Sequence, residues 1–368
     1  MMSDTTPKKH LPLEALHEDA GARFGNFAGW RMPLTYPAGV MKEHLHTRES
    51  AGLFDISHMQ LFEIEGSGAA DFLSRACPLE AAALREGQSK YTLLLNENAG
   101  IIDDLIVTRL GENRFMVVAN AGNADKDEAH FRNIAGDFDV SFTPLERVLL
   151  ALQGPDAEAA MIAAGLDLSD LTFMTGTEPR EGWFAARSGY TGEDGFEVAL
   201  PIDEAERFAR TLLDDERVQW VGLAARDSLR LEAGLCLHGQ DLDENTDPAS
   251  AAILWAVPKA LREEGKFIGA QALQKIIADG AKEKRVGLKP EGRQPVRAGA
   301  SLINEAGEKI GRVTSGGFGP SAGHPVAMGY VIKSLSEPGT RLFTEVRGNR
   351  IALDIHPLPF TPQRYKKG

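Results

Sequence analysis

The sequence predicts an α+β protein whose C-terminal end is a separate all-β region, and three observations carry this. Between Lys90 and Asn120, β-branched and aromatic runs alternate with Asn and Gly turns (SKYTLLL, NENAG, IIDDLIVTRL, GEN, RFMVVAN), which is the pattern of a three-stranded meander. Around it, stretches with helical spacing of apolar residues end at Gly or Pro. From Arg285 onward only short β-rich pieces occur (RVGL, SLIN, KIGRVTS, VAMGYVI, RLFTEVR, IALDI), separated by Gly, Pro and Asn turns, as in a small barrel or sandwich. The chain is therefore divided into residues 1–280, mixed α+β, and 281–368, all β, with the charged AKEKR stretch at the join.

Taken in order, Leu13 to Ala20 reads as a short helix stopped by Gly21. FGNFAGWRMPLTYPAGV reads as irregular because Gly and Pro interrupt it, and Met41 to Ala51 reads as a helix closed by Gly52. Gln60 to Glu65 is a strand and Ala69 to Ala76 a helix. The GSG between them starts a G-x-G, but Asp71 stands where a dinucleotide fingerprint needs Gly or Ala, so that motif fails. GGFGPSAG, Gly316 to Gly323, has the wrong spacing for one and contains Pro320. Helices are expected at Asp156 to Ala164, Asp203 to Leu213, Leu223 to Ala233 and Ile268 to Asp279. A strand pair is expected around Gly189 to Leu200, with Phe196, Val198 and Leu200 on one face and Glu197 and Ala199 on the other.

Composition narrows the function. Hydrophobic residues are 43% and charged residues 25% of 368, an ordinary globular balance that argues against disorder. A formal charge of −13 lacks the basic footprint of a nucleic-acid binder. The N-terminus carries Asp4, Glu14, Glu18 and Asp19 with no apolar segment, unlike a secretory or transit peptide. No apolar run approaches the ~18 residues of a membrane span, so no membrane partner is expected and a cytoplasmic location is. Cys77 and Cys236 are far apart and outside any CxxC, and are read as small core residues. His44, His46 and His58 lack partners at metal-ligand spacing and are read as satisfied or exposed; no metal is expected.

The adjacent pair Asp103 and Asp104 is conspicuous inside an apolar strand, where an ionised carboxylate is costly unless paired. Alternation puts them on opposite faces, but both faces carry apolar neighbours, so it does not say which one enters a pocket. The plain reading is a salt-bridged or edge-exposed pair. Glu197 reads as solvent-facing on a half-exposed strand. Arg226 and Arg230 share a helical face with Asp227 and Glu232, a salt-bridged surface or a guanidinium fork for a carboxylate ligand.

Several segments, in order and over nearly the whole chain, resemble the aminomethyltransferase (T-protein) family of the glycine cleavage system. They are FAGWRMPLTYPAG, HLHTRESAGLFDISHM, NENAGIIDDLIV, LLALQGP, SGYTGEDGFEVALP, GLAARDSLRLEAGLCLHGQDLDE, GRVTSG and PFTPQRY. The resemblance implies a three-lobed, cloverleaf-like arrangement around a central hole, with two N-terminal α+β lobes and a C-terminal β-barrel lobe. It also implies tetrahydrofolate as co-substrate and the lipoylated H-protein as partner, with 5,10-methylenetetrahydrofolate, ammonia and dihydrolipoyl carrier as products. A folate-dependent demethylase or a non-catalytic folate-binding factor on the same scaffold are the alternatives.

On the resemblance, Asp104 matches the family's key aspartate, placed to stabilise the cation that develops as the thiolate leaves, so Asp103→Asn is expected to do far less than Asp104→Asn. Glu197 matches the glutamate that takes the two N–H donors of the pterin edge. Arg226 matches an arginine near the benzoylglutamate end. Met59, Tyr91, Asn120 and Tyr190 match pocket-lining positions, and Tyr365 a C-terminal contact with the folate tail. The chain departs from the family at His238, where a Tyr is usual, and after GRVTSGGFG, where Pro320 follows Gly319 in place of Ser-Pro. For an acidic carrier to dock on this acidic chain, a local basic patch is needed, and Lys282, Lys284, Arg285, Lys289, Arg293 and Arg297 are the densest candidates.

Overall fold

The computed structural model describes residues 7–368. The Lys90–Asn120 meander forms as expected, with Ser89–Leu95, Ile101–Gly111 and Arg114–Ala119 paired antiparallel, and Gln60–Glu65 and Ser141–Leu145 extend it to five strands. One face is covered by the Ala69–Ala76 and Ala124–Ala135 helices, where Phe62, Phe72, Leu105, Val107 and Phe131 form a core.

A second sheet of six strands runs in the order Thr175–Thr177, Phe184–Arg187, Gly195–Leu200, Val148–Gln153, Ala51–Asp55 and Val218–Trp220. The predicted alternation holds: Phe196, Val198 and Leu200 pack beneath the Ala157–Ala163 and Ile202–Leu213 helices. Ala199 faces the other way, into a shared core with Leu61 and Met116 of the first sheet and Leu229 of the Leu223–Glu232 helix. The two sheets are thus brought together by their uncovered faces.

The third unit is a closed barrel of Glu283–Pro290, His324–Ile332, Lys309–Gly319, Ser301–Ile303, Arg341–Val346 and Asn349–His356, filled by Leu288, Leu302, Val313, Leu342 and Leu353. Its seam with the rest is polar as well as apolar. Leu231 packs on Val326 and Met328. Beside it, Arg230 Nη1 meets Asp241 at 2.7 Å and Nη2 donates to Ser315 at 2.9 Å, while Thr314 donates to Asp241. The buried Glu232 carboxylate accepts from Arg48 Nη2 (3.3 Å) and from the backbone N–H of Ser321 (2.8 Å) and Ala322 (3.0 Å), and lies 3.1 Å from His44 Nε2. No helix among the described residues is long and apolar enough to cross a membrane.

Two local readings are corrected. The segment expected to be irregular is an antiparallel hairpin of Arg23–Phe27 and Trp30–Thr35. Its two-residue turn places Ala28 at φ +50° and Gly29 at φ +83°, a geometry usually announced by Asn-Gly or Asp-Gly, and Ala hides it. Pro33 is tolerated because the pairing with Lys9–His10 stops at Arg31. The second correction concerns Gly52, which is not a helix cap. The helix is Val40–Glu49, and Gly52 lies in the fully buried strand Ala51–Asp55, where a Cβ would come within 2.4 Å of Thr47 Oγ1 and 2.8 Å of Val221 Cγ2. Gly66 and Gly68 likewise owe their place to packing: a Cβ on either would strike the backbone of Asp139.

Candidate active site

Between the two sheets, the Leu223–Glu232 helix and the barrel lies a cavity of about 1680 Å³. Met59, Tyr91, Asp104, Asn120, Tyr190, Glu197, Arg226 and Tyr365 all line it; Asp103 does not. Strand alternation, once anchored by neighbours, separates the two aspartates. Asp103 shares the face of Leu105 and Val107 and points under the helices, while Asp104 shares the face of Ile106, whose cross-strand partner Val118 packs on the core between the sheets.

Hydrogen bonds, rather than the expected salt bridges, hold both. Asp103 is fully buried and accepts from Asn120 N (3.0 Å), Asn120 Nδ2 (2.9 Å) and Asn123 Nδ2 (2.5 Å). Asp104 accepts from Tyr91 Oη (2.9 Å) and Asn120 Nδ2 (3.0 Å). Burial and the neighbouring Asp103 charge push the Asp104 carboxyl up to about 6, against the pull of those two hydrogen bonds. Trp255, two-thirds exposed, stacks on Tyr91 at 5.3 Å and also lines the cavity.

Glu197 and Arg226 are both buried, contrary to the surface readings. Glu197 accepts one hydrogen bond from Ser188 Oγ at 2.9 Å. Of the two partners the sequence offered, Arg230 takes Asp227 and adds Asp241, while Glu232 pairs with Arg48. Arg226 has no ion pair among the described residues: its guanidinium lies 5.0 Å over the Tyr190 ring, and Nη1 is buried without a hydrogen-bond partner among them. Burial lowers its pKa while the charge of Glu197 opposes that, which places the two groups within each other's field. An unpaired buried donor costs roughly 1–3 kcal/mol, so this cavity wall is built for an acceptor that the protein itself does not supply. Tyr365 stacks on Phe173 at 3.9 Å, and the chain beyond it is tied down by Lys366 Nζ to Glu158 at 2.9 Å.

Sequence reasoning missed three lining residues. His58 is buried, edge-on to Phe27, and its Nδ1 has no hydrogen-bond partner among the described residues. Burial and the Arg226 charge push its pKa down to about 3, so it is a neutral ring. The reading of His44 as satisfied is right, by Ser228, Glu232 and Ser321, but nothing in FDISHM distinguishes His58 from it. Trp255 sits in a segment without any chemical signal. His238 was noted only as a departure; its Nε2 lies 3.0 Å from Ile101 O and its Nδ1 2.9 Å from Asn123 Nδ2. Cys77 and Cys236 are free and buried, as expected.

The basic patch needs one correction. Arg285 is buried, donating from Nε to Ala251 O at 2.8 Å, so it is a seam residue and not a docking one. Arg297 is exposed and lines the cavity from the barrel side.

Residues 13–260 match the GCVT N-terminal domain and residues 283–361 the glycine cleavage T-protein C-terminal barrel domain. The chain is 43% identical to a mitochondrial aminomethyltransferase of Gallus gallus, covering 97% of this chain and 93% of the relative. It is 40% identical to a mitochondrial aminomethyltransferase of Dictyostelium discoideum, covering 99% and 95%. The crystal structure of the glycine cleavage system aminomethyltransferase T from Bartonella henselae superposes with a TM-score of 0.97 at 61% identity, over 98% of this chain and 99% of that one.

Proposed function

The chain belongs to the aminomethyltransferase (T-protein) family of the glycine cleavage system, and from that premise we propose that its central cavity binds tetrahydrofolate and receives an aminomethyl group carried on the lipoyl arm of an H-protein. The activity is that of an aminomethyltransferase, and neither a demethylase nor a non-catalytic factor is favoured. The observation that carries the finer reading is the convergence of a hydrogen-bonded carboxylate, Asp104, and a buried guanidinium, Arg226, without an ion pair among the described residues, on one cavity walled by both sheets and the barrel.

Tetrahydrofolate would supply the nitrogens that accept the one-carbon unit. The chain's own residues would do the rest. Glu197 accepts the paired N–H donors of the pterin edge, and Arg226 donates to an oxygen of the benzoylglutamate portion next to it. Met59, Tyr190 and Tyr365 supply apolar walls. The Asp104 carboxylate, fixed by Tyr91 and Asn120, faces the carbon on which positive charge develops as the carrier thiolate departs, and stabilises it without reorganising. Docking of the carrier belongs to the exposed cations Lys282, Lys289, Arg293 and Arg297, with the half-buried Lys284 between them. A cytoplasmic address is part of the same reading, although the Gallus and Dictyostelium relatives are mitochondrial by name.

The deciding assay mixes purified protein, tetrahydrofolate and aminomethyl-loaded lipoyl carrier. Ammonia and methylenetetrahydrofolate should appear together, in equal amounts. Ammonia release that does not depend on tetrahydrofolate would sink the reading.

A further inference from the structure

Behind Asp104, on the side away from the cavity, a third carboxyl completes a cluster that the reaction as described does not use. Asp127, in the first turn of the Ala124–Ala135 helix, is fully buried, and neither of its oxygens receives a hydrogen bond from a donor among the described residues. Its side chain instead meets that of Asp103. Two carboxylates cannot hydrogen-bond to each other without a proton between them. The location of that proton follows from counting. A carboxylate offers about four acceptor sites, and Asp103 has three occupied by N–H groups: Oδ1 by Asn120 Nδ2 and Asn123 Nδ2, and Oδ2 by Asn120 N. Asp103 is then the anion, with room for one further donor, and Asp127 is the acid that fills it.

The same contacts fix both asparagines. Asn120 Nδ2 has two hydrogens, one for Asp103 Oδ1 and one for the Asp104 side, where the backbone O (2.9 Å) and Oδ1 (3.0 Å) share it. Asn123 Nδ2 divides its two between Asp103 Oδ1 and His238 Nδ1. His238 Nε2 in turn donates to Ile101 O, so the ring is the neutral Nε2–H tautomer. An anion at Asp103 forces each amide to present nitrogen, never oxygen, and thereby sets the side of Asp104 that faces away from the ligand.

We propose that Asp103 and Asp127 hold one proton between them, on Asp127, and that this pair is the positioning unit for Asp104. The proposal rests on Asp104 being the catalytic carboxylate. The groups that face the pair are Lys126 beside Asp127, Cys77 at the end of the Ala69–Ala76 helix, and Asp104 itself; those that face Asp104 are Tyr91, Tyr190, Cys236, His238 and both members of the pair. Burial, with the Asp103 charge, pushes the Asp127 carboxyl up to about 10, consistent with an acid that stays protonated at neutral pH. The Asp103 charge also helps to raise Asp104, so removing it must move the titration of Asp104 down.

The test uses the full-length protein in three forms: wild type, Asp127→Asn and Asp103→Asn. Infrared difference spectra at about pH 8, well above the Asp104 limb, should show a protonated carboxylic acid band in the wild type that disappears in Asp127→Asn, a variant that keeps a donor toward Asp103. That variant should keep the wild-type acid limb, since the Asp103 charge beside Asp104 stays in place. Asp103→Asn should lose about tenfold or more in kcat, because the amides around Asp104 lose their fixed orientation. Its acid limb should move below that of the wild type, which loss of packing alone would not cause. An acid band that survives in Asp127→Asn, or an acid limb that stays in place in Asp103→Asn, would overturn the proposal. Should Asp103→Asn fail to fold, the infrared comparison of the other two forms decides. Normal turnover in Asp104→Asn would instead sink the role of Asp104 and leave the shared proton standing.

Discussion

Asp104 has to be ionised to act on a developing cation, so the pH dependence of turnover reads its surroundings. With the folded-state carboxyl raised to about 6, the anion is present above that pH and lost as pH falls through it. Under saturating tetrahydrofolate and carrier, kcat should therefore fall on an acid limb near pH 6; a limb near 4, where an unperturbed carboxylate titrates, would contradict the environment described. Asp104→Asn keeps size and hydrogen bonding but removes the charge, and should cost on the order of one hundredfold or more in kcat with tetrahydrofolate affinity largely retained, as titration calorimetry would show. Asp103→Asn should still cost far less than Asp104→Asn, but its three N–H contacts keep it from being silent. Glu197→Gln sets a donor against a donor and should weaken tetrahydrofolate binding by roughly 1–3 kcal/mol in the same titration. At this scale the sequence was legible where a charge interrupts an apolar pattern, as at Asp103, Asp104 and Glu197. It was mute on His58 and Trp255, because an unpartnered ring is defined by what surrounds it in space and leaves no trace in its neighbours along the chain.

Elements with a regular period were the easiest to read. The meander, the helices at Ala69–Ala76, Ile202–Leu213 and Leu223–Glu232, and the β-rich C-terminal region all follow apolar spacing and turn residues. The misreadings share a cause. Ala51–Asp55 is buried on both faces and so lacks alternation, and Gly52 at its start imitates a helix stop. The hairpin turn at Ala28–Gly29 lacks the residues that usually announce one. Both positions serve a close approach or a backbone twist, which composition records as disorder of the pattern. Gly52→Ala tests the packing reading directly. The added methyl group meets Thr47 and Val221, and should lower stability by about 1–3 kcal/mol, seen as a lower urea midpoint at constant m-value.

Charge decides association at the scale of the whole molecule. At −13 the chain repels an acidic carrier on average, so productive encounter depends on the cations near the mouth of the cavity. Reversing Lys284 and Arg297 to Glu should raise KM for the loaded carrier and leave tetrahydrofolate binding as it is. Added salt should raise the wild-type KM as well, since such encounters are screened over a Debye length of roughly 10 Å at 0.1 M. Unchanged carrier kinetics in the double variant at low salt would move the docking surface elsewhere. The seam between the barrel and the remainder has a further consequence. Two separate domain descriptions meet there, yet Arg230, Glu232 and Arg285 are buried in it with partners drawn from both sides. Without the barrel, these ions would be laid bare and the cavity would lose a wall. Neither half is a module that a gene fusion can transplant alone, because each would carry away ions whose partners stay behind.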